Sequence, residues 1–316
     1  GIGVAASTNT VVTTPQLSAL STLEFRVLEM VPGPDPTMPA KITFKGIAPT
    51  PDPRFRSDLL AIAVPLAGPE FDLRAETFGG GPAQANFLYL ASGEGSVQIR
   101  PGKYEIIVSR GPEYSIRRRK VTIRAERKRK ISMRLRRVVD TAGFVSGDFH
   151  VHSARSLDST AMLRDRVASF AGEGVEVMVS TDHDYHVDYA PIIASLNLGN
   201  HITSIVGNET TGSVPNPPAF PDSTGHINAW PLTVQPDARR DGAVEDEFVA
   251  PNWIFKRLRD QGAQVIQYNH VRAGVSGITS IGFFNNFGYA PGLPISASPN
   301  DLLLDDDVTG PGTSGV

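Results

Sequence analysis

The sequence predicts a multidomain chain in which an all-β module is followed by an α/β domain. Three observations carry this prediction. Short strand-like runs separated by turn formers fill residues 23–139, strand-like and helix-like runs alternate from residue 140 onward, and the charge balance changes at the same place. Residues 103–137 hold fourteen Lys or Arg against three Glu, whereas residues 141–316 hold nine against twenty Asp or Glu. The net charge of −3 therefore averages two different surfaces, and 316 residues with 40% hydrophobic content suffice for two domains at roughly 100–200 residues each.

Residues 1–22, rich in Ser, Thr, Ala and Val without periodicity, read as a linker or the remnant of a preceding segment. In the β-module, residues 23–139, the strand-like runs are Leu23–Leu28, Ala40–Gly46, Asn86–Leu90, Ser96–Ile99, Tyr104–Val108, Lys120–Ile123 and Lys130–Leu135, bounded by turns such as Pro101-Gly102. In the last run Ile131, Met133 and Leu135 alternate with Lys130, Ser132, Arg134 and Arg136. That period of two places apolar side chains on one face of a sheet and charges on the other. Residues 47–95 carry weak local signals and several Pro and Gly, which predicts long loops.

In residues 140–316, Val145–His150 reads as a strand, Ser159–Ala171 as a helix capped by Asp158 or Ser159, and Gly174–Ser180 as the next strand. The pattern continues through a short helix at Pro191–Leu196, a strand at Ile202–Val206, a helix at Pro251–Asp260 and a strand at Gln264–Tyr268. Such alternation predicts parallel strands, with a site beyond their C-terminal ends.

The absence of cysteine excludes disulfides, a thiol nucleophile and thiolate ligands. A transition metal bound here must be held by imidazole and carboxylate. No window supplies the roughly 18–20 apolar residues of a membrane-spanning helix, and residues 1–22 lack the form of an intact export signal.

All seven histidines follow residue 149. His150 and His152 sit at a strand end with period-two spacing, which directs both rings to one side, where they can share a metal. The next strand ends in Thr181-Asp182-His183-Asp184, the one after reaches Gly207-Asn208-Glu209, and another runs into Asn269-His270. His226 follows a glycine in a return segment. Taken singly, each histidine has an ordinary structural explanation; their joint placement at strand ends points to a metal centre.

These motifs resemble, in order, those of the PHP family, named for polymerase and histidinol phosphatase, and especially its CehA/McbA-like metallohydrolase branch. Phe149-His150-Val151-His152-Ser153 is similar to the family's opening His-x-His signature, Ser180-Thr181-Asp182-His183 to its second, Gly207-Asn208-Glu209 to the bridging-carboxylate segment, and Gly225-His226 and Asn269-His270 to later ligand segments. The resemblance spans 141–270 and implies a distorted (β/α)7 barrel with two to three divalent ions, Zn2+, Mn2+ or Fe. His150, His152 and Glu209 would hold one ion, Glu209, His226 and His270 a second, and His183 with Asp158 a third. The implied activity is metal-dependent hydrolysis by a metal-bridging water or hydroxide, chiefly of phosphomonoesters or phosphodiesters, with carboxyl-ester, carbamate or amide hydrolysis as the alternative. A small anionic or ester substrate follows.

Around these ligands, Asp148, Asp182 and Asp184 are candidates to accept hydrogen bonds from ligand imidazoles or, by strand alternation, to face solvent, and Asp184 and Arg272 are the candidate catalytic residues outside the ligand set. Arg272 would bind an anionic substrate oxygen or, in its structural alternative, form a salt bridge over the acidic rim. Val271 stands where the family commonly has Pro, and the family's closing Asp-x-His pair has no counterpart between His270 and Val316, where the run Asp305-Asp306-Asp307 lacks a histidine. The expectation is a domain incomplete at its C-terminus, whose missing portion belongs to the same protein. Residues 85–137 resemble the carboxypeptidase-regulatory-like β-modules that precede this branch, an arrangement that favours a periplasmic or extracellular location over a cytoplasmic one. The basic runs Arg117–Lys120 and Arg127–Lys130 raise nucleic-acid binding as a lesser reading, and a non-catalytic metal-binding protein is a third. Oligomeric state is not legible.

Overall fold

The computed structural model describes residues 19–53, 55, 86–159, 161–211, 225–246, 249, 251–271 and 294. The candidate Arg272, the acidic run Asp305–Asp307 and most of the expected loop region lie outside these residues.

The N-terminal module is two sheets around one core. Strands β1 (Ser21–Glu29), β4 (Glu94–Ile99) and β7 (Lys128–Leu135) form a three-stranded sheet ordered β4-β1-β7, in which β1 is antiparallel to β4 and parallel to β7. Strands β2 (Ala40–Gly46), β3 (Phe87–Leu90), β5 (Gly102–Ser109) and β6 (Arg117–Ile123) form a four-stranded antiparallel sheet ordered β3-β2-β5-β6. The expected alternation places Ile131, Met133 and Leu135 of β7 in the core with Phe25, Phe44 and Ile106. Phe25 and Phe44 meet edge to face at 5.6 Å between ring centroids, an arrangement aromatic rings prefer.

The opposite face of β7 is charged and ion-paired. Lys128 and Lys130 reach Glu24, and Arg134 reaches Asp35. Part of the basic run is thus a solvated sheet face balanced by acids of its own module, and its charge needs no polyanion to explain it.

In the second half, β8 (Gly147–Val151), β9 (Val177–Ser180) and β10 (Thr203–Val206) form a parallel sheet ordered β10-β9-β8. Helix α1 (Leu163–Gly172) connects β8 to β9, and α2 (Ala190–Ser195) connects β9 to β10. Val167, Ala168 and Ala171 of α1 pack with Val151, Met178 and Tyr189. This β-α-β-α-β unit matches the sequence expectation, with one correction at the start of α1. The helix begins at Leu163, Met162 occupies the capping position, and no side chain caps it. Asp158 and Ser159 lie in the loop before it, where Asp158 bonds to His152 instead.

A larger correction concerns the later strands. Beyond β10 the chain enters β11 (Asn208–Thr210), which pairs antiparallel with β12 (Ile227–Trp230), itself antiparallel to β13 (Val265–Tyr268). Helix α3 (Pro251–Asp260) covers this sheet through Ile254 and Leu258 against Ile227 and Ala229. The described residues therefore hold one parallel and one antiparallel three-stranded sheet and close no barrel. Only Gly207 separates β10 from β11. A Cβ there would lie 2.8 Å from the Ala229 carbonyl oxygen and 2.9 Å from that of Ser180, so the close approach of the two sheets requires glycine.

Candidate metal centre

The antiparallel sheet also brings candidate ligands together. Because β12 runs opposite to β11 and β13, the residue before its start lies beside the residues after the end of β13. Ile227 pairs with Tyr268, and the Asn269 N–H donates to the His226 carbonyl. His226 and His270 are thereby brought to one edge, their rings 4.7 Å apart. From the parallel sheet, the end of β8 supplies His150 and His152, with rings 4.9 Å apart as the period-two spacing predicted. His183, just beyond β9, forms a parallel bridge with Glu209, which links the two sheets at the site itself.

Glu209 is the centre of the arrangement, its side chain only 1% exposed. Its Oε2 lies 2.8 Å from His152 Nε2, 3.1 Å from His150 Nε2 and 3.4 Å from His183 Nδ1. Its Oε1 lies 3.1 Å from His226 Nδ1, 3.5 Å from His270 Nε2 and 2.8 Å from Asn269 Nδ2. The two oxygens divide the histidines into two groups, as a bridging carboxylate requires. Donor atoms within 4.8 Å of one another define three sets: His150, His152 and Glu209; His152, Asp158 and His183; and His183, Glu209 and His226. The first matches the expected first position. Asp158 and His183 share a set as expected, with His152 added, and His183 stands with Glu209 and His226 where His270 was expected. His270 remains adjacent, with φ of 29°, a backbone region that a non-glycine residue occupies at a cost.

The electrostatics fit a cation. Burial would raise the Glu209 carboxyl, but the imidazoles of His150, His152, His226 and His270 gathered around its two oxygens hold it well below the usual carboxylate range. Burial likewise lowers the His152 imidazole, yet its bond to Asp158 and the charges of Asp158 and Glu209 push it up to about 9. For Asp158, the same partners, His152 and His183, outweigh desolvation and depress its pKa. Two buried ring nitrogens, His152 Nε2 and His183 Nδ1, have no hydrogen-bond partner although both are close to Glu209 Oε2. Nitrogen lone pairs crowded around a dry carboxylate, and out of line for hydrogen bonds, suit a shared metal ion.

The surrounding acids are arranged differently from the expectation. Asp182 accepts from the Ser153 N–H and hydroxyl and from Tyr189. Asp184 accepts from the Thr211 N–H and hydroxyl and lies 3.7 Å from Arg240. Asp148 accepts from the His150 N–H. These three brace the loops that carry the ligands, and it is Asp158, 2.8 Å from His152 Nδ1, that partners an imidazole. Alternation could not reveal this, because Asp158 lies in an irregular loop. Asn269 was legible only as part of the Asn-His pair, and its contact with Glu209 is the functional detail that sequence reasoning missed.

Fold and site together define a chain with a β-module and a mixed α/β unit that carries a buried His/Glu cluster able to hold metal. No family model and no curated protein matches the chain. Among solved structures, the minor pilin of Streptococcus agalactiae is similar over 39% of this chain and 47% of that one, at 12% identity and a TM-score of 0.28. Likeness at that level carries no argument about fold or function.

Proposed function

We propose that this chain is a metal-dependent hydrolase of PHP type acting on phosphomonoesters or phosphodiesters. The observation that supports it is the division of Glu209: one oxygen faces His150, His152 and His183, and the other faces His226 and His270. When bound there, divalent ions supply Lewis acidity and activate water for in-line displacement at phosphorus.

The chain's own residues prepare the ligands. With His152 neutral and its proton on Nδ1, Asp158 accepts the hydrogen bond at 2.8 Å and the Nε2 lone pair is left on the side of Glu209. Asn269 holds Oε1 of Glu209 from the other side. Five imidazoles and two carboxylates, with no cysteine in the sequence to offer a thiolate, suit Zn2+, Mn2+ or Fe.

Elemental analysis of the metal-loaded protein, combined with hydrolysis of p-nitrophenyl phosphate and its diester, tests the proposal. Glu209→Gln keeps the side-chain shape and removes the negative charge, and it should lower metal content and abolish turnover. Wild-type metal content in the variant would remove Glu209 as the bridge, and metal-replete wild type inert toward both esters would remove the phosphoesterase assignment.

A further inference from the structure

The β-module reaches the metal centre. A cavity of about 650 Å3 adjoins His150 and His152 and is walled on one side by Phe87 and Tyr89 of β3 and on the other by Arg166 and Phe170 of α1. Its size falls in the roughly 300–1,000 Å3 range of small-molecule sites. The cavity is a product of how the two halves meet, since neither β3 nor α1 encloses it alone.

That meeting is held by specific contacts. Glu173, at the end of α1, accepts a 2.8 Å hydrogen bond from the Tyr89 hydroxyl and a 2.7 Å ion pair from Lys41. Lys41 Nζ also sits 4.6 Å from the Phe87 ring centroid, and the Phe87 and Tyr89 rings pack edge to face at 5.6 Å. Gly172 permits the closest approach: a Cβ there would lie 2.6 Å from Tyr89 Cδ1. Both aromatic rings are therefore pre-positioned. Arg166 donates to Ser159 and covers the Phe170 ring, yet its Nε is buried without a partner.

From these features we propose that the cavity is a substrate subsite for the aryl group of an anionic ester, with the ring between Phe87, Tyr89 and Phe170 and the anion on the side of the Arg166 positive charge. This rests on the hydrolase reading for the anion's place at the His/Glu cluster, and it adds the substrate class and the role of the β-module. Aromatic walls favour a flat ring by area and by edge contacts, and the Arg166 guanidinium adds positive charge beside them.

Calorimetry on the full chain in zinc-containing buffer, with phenylphosphonate and methylphosphonate, tests the subsite without any turnover. Both carry the same anion and neither hydrolyses. Phenylphosphonate should bind at least about tenfold more tightly. Phe87→Ala should shrink that ratio to about threefold or less, whereas Arg166→Gln should weaken both ligands and leave the ratio near its wild-type value. Equal affinities for the two ligands in wild type, or no binding of either, would overturn the subsite, as would a ratio unchanged by Phe87→Ala. The wild-type comparison decides the matter even where a variant fails to fold. Phenyl phosphate left intact by zinc-replete protein that shows the phenyl preference would overturn the hydrolase reading and leave the subsite standing; hydrolysis without the preference would do the reverse.

Discussion

The side-chain amide of Asn269 donates a 2.8 Å hydrogen bond to Oε1 of Glu209, 60 residues earlier in the chain. The bond joins the end of β13 to the middle of β11, and it fixes the rotation of the carboxylate around which five imidazoles gather. Asn269 is itself buried, so its amide has no water to exchange for this acceptor.

Asn269→Ala removes that restraint without touching a ligand. Partners that orient ligating groups typically contribute about 10–100-fold to metal affinity, and a loss in that range is expected from chelator competition. Affinity equal to wild type would mean that the imidazoles alone orient Glu209.

Asp158→Asn addresses the proton on His152. In metal-free protein the folded His152 is raised to about 9 from an unfolded value of about 6.5. Its stabilising contribution is complete below the unfolded value and is lost as pH rises through the folded one. Asp158 is depressed, so its contribution is present above its unfolded value and lost as pH falls through the folded one. Chelated wild type should therefore lose melting temperature between about pH 6.5 and 9, and Asp158→Asn should make that decline shallower. An identical decline in the variant would show that Glu209 alone sustains the His152 charge.

Gly207→Ala tests the junction of the sheets. The added methyl would meet the Ala229 and Ser180 carbonyls and the Val179 side chain, all within 2.9 Å. Overpacking of this kind costs about 1–3 kcal/mol, to be read from the denaturant midpoint, with reduced metal affinity because Glu209 is two residues away. A neutral substitution would show that β10 and β12 can separate without disturbing the site.

His201→Ala is the control. His201 precedes β10, at the end of the parallel sheet opposite the ligands, where it feels Arg110 and Glu29 and is shifted downward by burial. Metal content should stay at the wild-type level, and a loss comparable to that of a ligand variant would undermine the assignment of the cluster.

The candidate ligands were legible because their pattern is local. Period-two spacing put His150 and His152 together at the end of β8, and strand-ending motifs marked His183, Glu209 and His270. The strands of the β-module were legible for the same reason, since alternation along β7 records which side chains are buried. The direction of β12, by contrast, has no local signature: Ile227–Trp230 is buried throughout and reads the same in either orientation. Its pairing depends on β11 and β13, and β13 lies about forty residues away in sequence. The roles of Asp158, Asp182 and Asp184 were likewise undetermined, because a loop carboxylate takes the nearest available donor and only the folded chain says which that is.

By itself, then, the sequence determined which residue types crowd the site, that thiolate takes no part in it, and which face of β7 is buried, because each follows from composition or from periodicity along a few residues. The tertiary structure decided that the later strands form an antiparallel sheet, that the two oxygens of Glu209 face different histidines, and that Phe87 and Tyr89 stand beside His150 and His152. These are relations between segments tens of residues apart, set by burial of shared cores and by contacts such as Tyr89 with Glu173. Short-range pattern carries no information about which distant surfaces will exclude water together.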